Sequence, residues 1–266
     1  MDLNLAGKRV LVTGASKGIG LAIVRAFRQE GADVVAVSRR TTPELEATGA
    51  TFVAADLSDV DGPRRAVEAA LETLGSLDVL VNNAGGGDGL PDGSFGDVLD
   101  GGDEIWQDVF ELNLHATVRV TRTALPALLE ARGAVVNISS DSGRRIGAPG
   151  ATPLPYAVAK SAINMFTRAL AERVGPEGVR VNAVSPSLTR THTIAGEGGY
   201  IAQVAGAIGV EHGDLLAALP KELGMLTGRM IEPEEIARAV LVLASPTMPS
   251  VIGSNWAVDG GSTKVA

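Results

Sequence analysis

Short apolar runs recur along this chain with amphipathic helical patterns between most of them, and that rhythm limits the fold more than any other feature. The runs fall at residues 9–13, 33–38, 51–55, 77–82, 134–139, 180–185 and 255–258. Helical periodicity covers 19–30, 60–74, about 104–131, 156–174 and 233–244. In the first helix Ile19, Ala22, Ile23, Ala26 and Phe27 share one face, and Gly31 stands where a left-handed C-cap is expected. Apolar strands alternating with helices imply a parallel sheet covered on both faces. The expected fold class is therefore α/β, doubly wound, with seven parallel strands in one domain over 1–266. Ligands of such a sheet bind outside the carboxyl ends of its strands.

Two segments break the rhythm. Residues 85–102 are rich in glycine and aspartate, and residues 189–229 form a moderately apolar insertion of lid-like length. Composition narrows the chemistry further. With no cysteine, the chain has no disulfide framework, thiolate metal site or cysteine nucleophile. A net charge of −8 argues against nucleic acid or an anionic membrane as partner. His115, His192 and His212 lack metal-ligand spacing, so no metal is expected. No Gly-x-Ser-x-Gly elbow accompanies the serines, which argues against a hydrolase. The first seven residues carry no basic or long apolar segment, and no window matches a membrane span, so a cytoplasmic location is expected.

Thr13-Gly14-Ala15-Ser16-Lys17-Gly18-Ile19-Gly20 joins the first strand to the first helix. Glycines there permit a tight turn and close approach of backbone to a pyrophosphate, which the helix N-terminus would attract. The alternative is a plain strand–helix turn. Its position at the first βα junction favours a dinucleotide. At the end of the second strand, Ser38-Arg39-Arg40 replaces the carboxylate that would bind an NAD ribose. Arg39, Arg40 and Lys17 suit a 2′-phosphate, so NADP(H) is the expected cofactor, with NAD(H) second.

The Gly-x-x-x-Gly-x-Gly spacing after Thr13 resembles the cofactor loop of the short-chain dehydrogenases/reductases, single-domain Rossmann-like enzymes. The resemblance continues through Asn82-Asn83-Ala84-Gly85, Asn113, Ser139-Ser140, Tyr156-Ala157-Val158-Ala159-Lys160 and Val258-Asp259-Gly260-Gly261, in the family's order. It implies cofactor contacts from Gly14, Ser16, Lys17, Gly18, Ile19, Gly20, Arg39, Arg40, Asp56, Leu57, Asn83, Ala84 and Gly85. Tyr156, Lys160, Pro186, Leu188 and Thr191 complete that set. Ser187 stands where the family has glycine, a replacement that fits if φ is negative.

Tyr156 and Lys160 lie four apart on a helical pattern and share a face. An ammonium beside a phenol favours the phenolate, so the pair can move a proton near neutral pH. Ser140, after the fifth strand, would polarise a carbonyl. By resemblance Asn113 holds a water that links Lys160 to solvent. The expected activity interconverts a ketone and a secondary alcohol, with Tyr156 giving the proton. The resemblance extends to 3-oxoacyl reductases, and implies a homotetramer or homodimer. A catalytically inactive NADP(H)-binding sensor or scaffold of the same fold is the alternative. Ile194, Tyr200, Ile201, Val204, Ile208, Leu215, Leu216 and Leu219 either face an apolar, medium-sized carbonyl substrate or pack the lid's own helices. Arg144 and Arg145 either meet an anionic substrate group or are solvated.

Overall fold

The computed structural model describes residues 2–86, 99, 101–145 and 152–264. Seven strands form one sheet: β1 (Arg9–Thr13), β2 (Asp33–Ser38), β3 (Thr51–Ala54), β4 (Val79–Asn82), β5 (Ala134–Ile138), β6 (Arg180–Pro186) and β7 (Asn255–Val258). Their order is β3-β2-β1-β4-β5-β6-β7, and every pairing is parallel. The order reverses between β1 and β4, which opens a crevice at their carboxyl ends. The strands match the expected runs to within a residue or two at their ends.

The helices are α1 (Gly18–Gln29), α2 (Pro43–Glu46), α3 (Gly62–Leu74), α4 (Asp103–Phe110), α5 (Ala116–Ala131), α6 (Leu154–Val174), α7 (His192–Ala195), α8 (Tyr200–Ile208), α9 (His212–Glu222) and α10 (Pro233–Ala244). Alternate side chains of each strand feed opposite layers. Val10, Val12, Val79, Val81 and Val136 pack with Ile23, Val24 and Phe27 of α1 and Ile236, Val240 and Leu241 of α10. Leu11, Leu80 and Val135 point the other way, onto Val67 of α3, Val120 and Leu128 of α5, and Val174 of α6. Each side chain buried this fully contributes about 1.5–3 kcal/mol of transfer free energy, so both faces of the sheet are apolar and must be covered. Among the described residues no helix is long and apolar enough to cross a membrane.

Two features depart from the sequence expectation, and a third, the helical insertion, follows it. The single long helix over 104–131 is interrupted by a π-helical turn, Glu111–His115, between α4 and α5. Asn113 sits in that turn, and its amide nitrogen reaches the Val109 carbonyl at 3.0 Å, competing with regular helical bonding. The one-turn helix α2 is too short for periodicity to reveal, although Thr42 caps it and Pro43 opens it. The 189–229 insertion contains α7, α8 and α9, and its ends are tied together. Thr189 bridges Ile231, Arg190 N–H donates to the Ile231 carbonyl at 2.8 Å, and Ile231 N–H donates to Leu188 at 2.9 Å.

Candidate functional site

The first part of the site is the turn after β1. Gly14 has a φ of +64°, and a Cβ there would stand 2.8 Å from Ala84 Cα. A Cβ on Gly20 would overlap the Gly14 carbonyl. Only glycine fits at either place, and the missing side chains leave a bare cradle at the start of α1. Thr13 locks this cradle to the end of β4. Its hydroxyl donates to the Val81 carbonyl at 3.3 Å and accepts Asn83 and Ala84 N–H at 3.0 and 3.1 Å. Asn83 returns the tie, with Nδ2 donating to the Thr13 and Gly14 carbonyls at 2.9 and 3.0 Å. Asn83, expected among the cofactor contacts, thus also braces the glycine loop through its amide nitrogen. Thr13 went unassigned in the sequence, although it opens the glycine motif.

Lys17 caps α1 by its backbone alone, with no side-chain acceptor for the first N–H groups, which suits an incoming anion. The Ser16 carbonyl accepts the Thr42 hydroxyl at 3.0 Å, and Ile19 packs on the core. Gly18 lies against Thr191, whose methyl would be 3.1 Å from a Cβ at position 18, so the start of the insertion rests on the glycine loop.

Lys17, Arg39 and Arg40 are exposed, and among the described residues none of the three joins an ion pair. Asp56 folds into its own turn. Ser58 donates to Asp56 Oδ1 from its hydroxyl at 2.6 Å and its N–H at 3.0 Å. These bonds, with the charge of Arg39, hold the Asp56 carboxyl below the usual carboxylate range. Leu57 is buried beside it.

Across the crevice, Tyr156 and Lys160 stand one turn apart on α6. Lys160 Nζ is 5.5 Å from the Tyr156 ring centroid and donates to the Ile138 carbonyl at 3.0 Å. Lys160 is 4% exposed, and burial pushes its pKa down to about 8. The backbone of Gly85 passes beside it: a Cβ there would lie 2.7 Å from Asn113 Oδ1 and 3.2 Å from Lys160 Nζ. Asn113 grips the next residue twice, accepting Gly86 N–H and donating to the Gly86 carbonyl, both at 3.0 Å. Its side chain is thus a clamp on the loop after β4, and the π-turn brings it there.

Ser140 caps a short 3₁₀ turn (Asp141–Gly143), accepting Ser142 N–H at 3.1 Å. Ser139 is taken up elsewhere, donating to the Lys160 carbonyl at 3.1 Å, which leaves Ser140 as the serine at the strand end. Pro186 is buried at the end of β6. Ser187 meets its condition, since Asn4 and Arg132 alone among the described non-glycine residues have positive φ. Leu188 packs on the core, and Thr191 caps α7.

The structure brings Gly14, Gly20, Asn83 and Ala84 together, and joins Gly85, Asn113, Tyr156 and Lys160 nearby. Arg39, Arg40 and Asp56 lie apart from that cluster at the ends of β2 and β3. Arg145 is neither free nor simply solvated. Its Nε and Nη2 donate to Asp141 Oδ2 at 3.0 and 2.9 Å, while Arg144 reaches the Asn255 carbonyl at 3.4 Å. In the insertion Ile201 is buried, whereas Ile208 is exposed. Most of the 85–102 segment and residues 146–151, between Ser140 and Tyr156, lie outside the described residues.

Sequence reasoning also missed a buried polar chain beneath the site. Asn82 Nδ2 donates to Thr121 Oγ1 at 2.9 Å and Asn137 Oδ1 at 2.8 Å, and Asn137 Nδ2 donates to Thr167 Oγ1 at 2.9 Å. It ties β4 and β5 to α5 and α6 immediately before Asn83 and Ile138, the residues that brace the loop and receive Lys160. No periodicity marks such a network. The only signal is an asparagine in each of two otherwise apolar strands.

Comparison with known proteins agrees with the fold. A family model described as enoyl-(acyl carrier protein) reductase matches residues 14–263. An L-xylulose reductase of Bos taurus is 35% identical, with 98% of each chain covered. A 3-oxoacyl-[acyl-carrier-protein] reductase of Chlamydia pneumoniae is 32% identical over 99% of this chain and all of the relative. Among solved structures, the L-sorbose reductase of Gluconobacter frateurii, complexed with NADPH and L-sorbose, superposes with a TM-score of 0.85. It is 31% identical, with each chain fully covered.

Proposed function

The chain belongs to the short-chain dehydrogenase/reductase family of oxidoreductases acting on CH–OH and C=O groups, and from that premise we propose that it reduces a ketone to a secondary alcohol with NADPH. The observation that carries this reading is the meeting of Tyr156, Lys160, Asn113 and Gly85 beside a glycine cradle at the reversal of strand order. The cradle fits a dinucleotide, because side chains are absent exactly where the backbone must meet a pyrophosphate. Bound there, NADPH supplies the hydride that goes to the carbonyl carbon.

The chain's own residues do the rest. Tyr156 Oη gives its proton to the carbonyl oxygen, and Ser140 Oγ holds that oxygen as charge builds on it. Lys160, charged and adjacent, stabilises the phenolate left behind and lies close enough to the loop after β4 to hold the nicotinamide ribose. Asn113 keeps that loop against Lys160, and its π-turn is the proposed opening through which a water relays protons to Lys160. Ser16, Gly18, Ile19, Ala84, Asp56, Leu57, Asn83, Pro186, Leu188 and Thr191 form the remaining cofactor wall. The insertion 189–229 acts as a substrate lid on a single domain, hinged at the Thr189–Ile231 bridge.

Leu154, Val158 and Met165 form an exposed apolar stripe on α6, at 38%, 40% and 69% exposure. That stripe supports burial against a second copy, in a homodimer or homotetramer.

NADP(H) preference rests on Lys17, Arg39 and Arg40, which are exposed and join no close ion pair among the described residues, Arg39 acting on Asp56 only through its field. A 2′-phosphate would pair with them through charge-assisted hydrogen bonds. Replacing Arg39 and Arg40 together by alanine is expected to lower kcat/KM for NADPH by about 10- to 100-fold, the worth of such bonds. The value for NADH should move little. Steady-state assays with both cofactors check this, and a wild-type preference for NADH would overturn it.

A further inference from the structure

Asp141, the residue after Ser140, is a 5%-exposed carboxylate with unevenly used oxygens. Oδ2 is fully engaged, accepting Arg145 Nε at 3.0 Å, Arg145 Nη2 at 2.9 Å and the Ser262 hydroxyl at 3.4 Å. Among the described residues Oδ1 faces only two hydroxyls, those of Ser140 at 3.4 Å and Ser142 at 3.5 Å. Hydroxyl-to-oxygen bonds centre near about 2.7–2.8 Å, so both are long and weak. A buried carboxylate oxygen left with weak donors has unspent acceptor capacity, and nearly all buried polar groups find a partner. Once Ser140 turns its hydroxyl to a substrate carbonyl, Oδ1 loses one of the two.

Resting on the reductase reading above, we propose that Asp141 Oδ1 accepts a hydrogen bond from a hydroxyl on the carbon next to the reacting carbonyl, so that the substrate is an α-hydroxy ketone. Ser140 Oγ and Asp141 Oδ1 are separated by 3.4 Å, comparable to the spacing of oxygens on adjacent carbons. A carboxylate accepts and never donates, so it selects a hydroxyl over a second carbonyl or an ether. Arg145 neutralises the charge of Asp141, which keeps it tolerable beside a carbonyl oxygen that becomes negative. With Arg145 matched by Asp141, its charge is not available to an acidic substrate group. An α-keto acid is therefore disfavoured. Ser142, itself 3.4 Å from the Thr152 hydroxyl, adds further hydroxyl groups to the same wall.

The test compares kcat/KM for 1-hydroxy-2-butanone, 2-butanone and 2-oxobutanoate with NADPH, in the wild-type protein and two variants. Asp141→Asn keeps the shape without the charge. Asp141→Leu combined with Arg145→Met removes both charges together, so that neither is left buried alone. The readout is the hydroxy ketone to ketone ratio within one protein, which a loss of folded enzyme does not change. The wild type should favour the hydroxy ketone by about tenfold or more, because a site built for a hydroxyl rejects its absence. Asp141→Asn should cut that ratio about fivefold, the difference between charge-assisted and neutral hydrogen bonds. The double variant should bring it near one. A wild-type ratio near one, a ratio unchanged in the double variant, or preference for 2-oxobutanoate would overturn the proposal. Failure of every carbonyl compound to oxidise NADPH would instead overturn the reductase reading.

Discussion

Tyr156→Phe is expected to lower kcat by about 10²- to 10⁴-fold, the usual contribution of a positioned general acid. The ring remains and keeps its place over Lys160 Nζ, 5.5 Å from the centroid, so packing is nearly unchanged. What disappears is the proton. A free phenol, with a pKa near 10, parts with it reluctantly at neutral pH. In the site, a buried ammonium lies on the same helical face and favours the phenolate. Losing one hydroxyl should weaken NADPH binding by no more than about tenfold, the worth of a single hydrogen bond. Steady-state turnover combined with fluorescence titration of NADPH separates the two effects. Turnover close to wild type would remove Tyr156 from the mechanism.

Lys160→Met is expected to stop turnover and stabilise the fold together. The ammonium is buried, and burial brings its pKa from 10.5 to about 8. The unfolded chain keeps that proton up to its ordinary pKa, whereas the folded chain loses it near 8. The penalty on folding is therefore fully present below about pH 8 and is relieved as pH rises toward 10.5. Such a shift corresponds to about 3 kcal/mol against the folded state at neutral pH. Methionine fills much of the same space without the charge, although it forfeits the 3.0 Å bond to the Ile138 carbonyl. A net gain of about 1–2 kcal/mol would raise Tm at pH 7 by about 2–8 °C. Stability should also stop rising between pH 8 and 10.5. In the wild type, kcat/KM should decline above about pH 8 as the free enzyme loses the ammonium, since this parameter reports ionisations of the free enzyme. Thermal unfolding across pH and a kcat/KM profile check both halves. A destabilised Lys160→Met would show that the ammonium supports the fold instead of straining it.

The strands were legible because a strand buried on both faces has to be apolar, and Val10, Leu11 and Val12 supply both layers from three consecutive positions. The glycine cradle was legible because no other residue fits at Gly14 and Gly20. Spacing alone placed Tyr156 and Lys160 on one face. The π-turn at Asn113 was hidden, since the Gly86 that its side chain grips lies on another loop, 27 residues away. The environment of Asp141 was hidden for the same reason: Ser262 reaches it from 121 residues further on. Arg145 lies four residues after Asp141, a spacing that suits an ion pair only once a local turn is known. Local order can be read from periodicity, but contacts between distant loops need the fold first.

The reaction that defines this site is hydride transfer to a carbonyl carbon. The most direct measurement supplies NADPH deuterated at the transferable C4 position together with a ketone, and locates the label in the product by NMR. One deuterium is expected on the new carbinol carbon, with none on the hydroxyl oxygen after exchange into water, and label transfer by Tyr156→Phe should be about 10²- to 10⁴-fold slower. An alcohol product without deuterium on that carbon, or NADPH left unoxidised with every ketone tried, would contradict it.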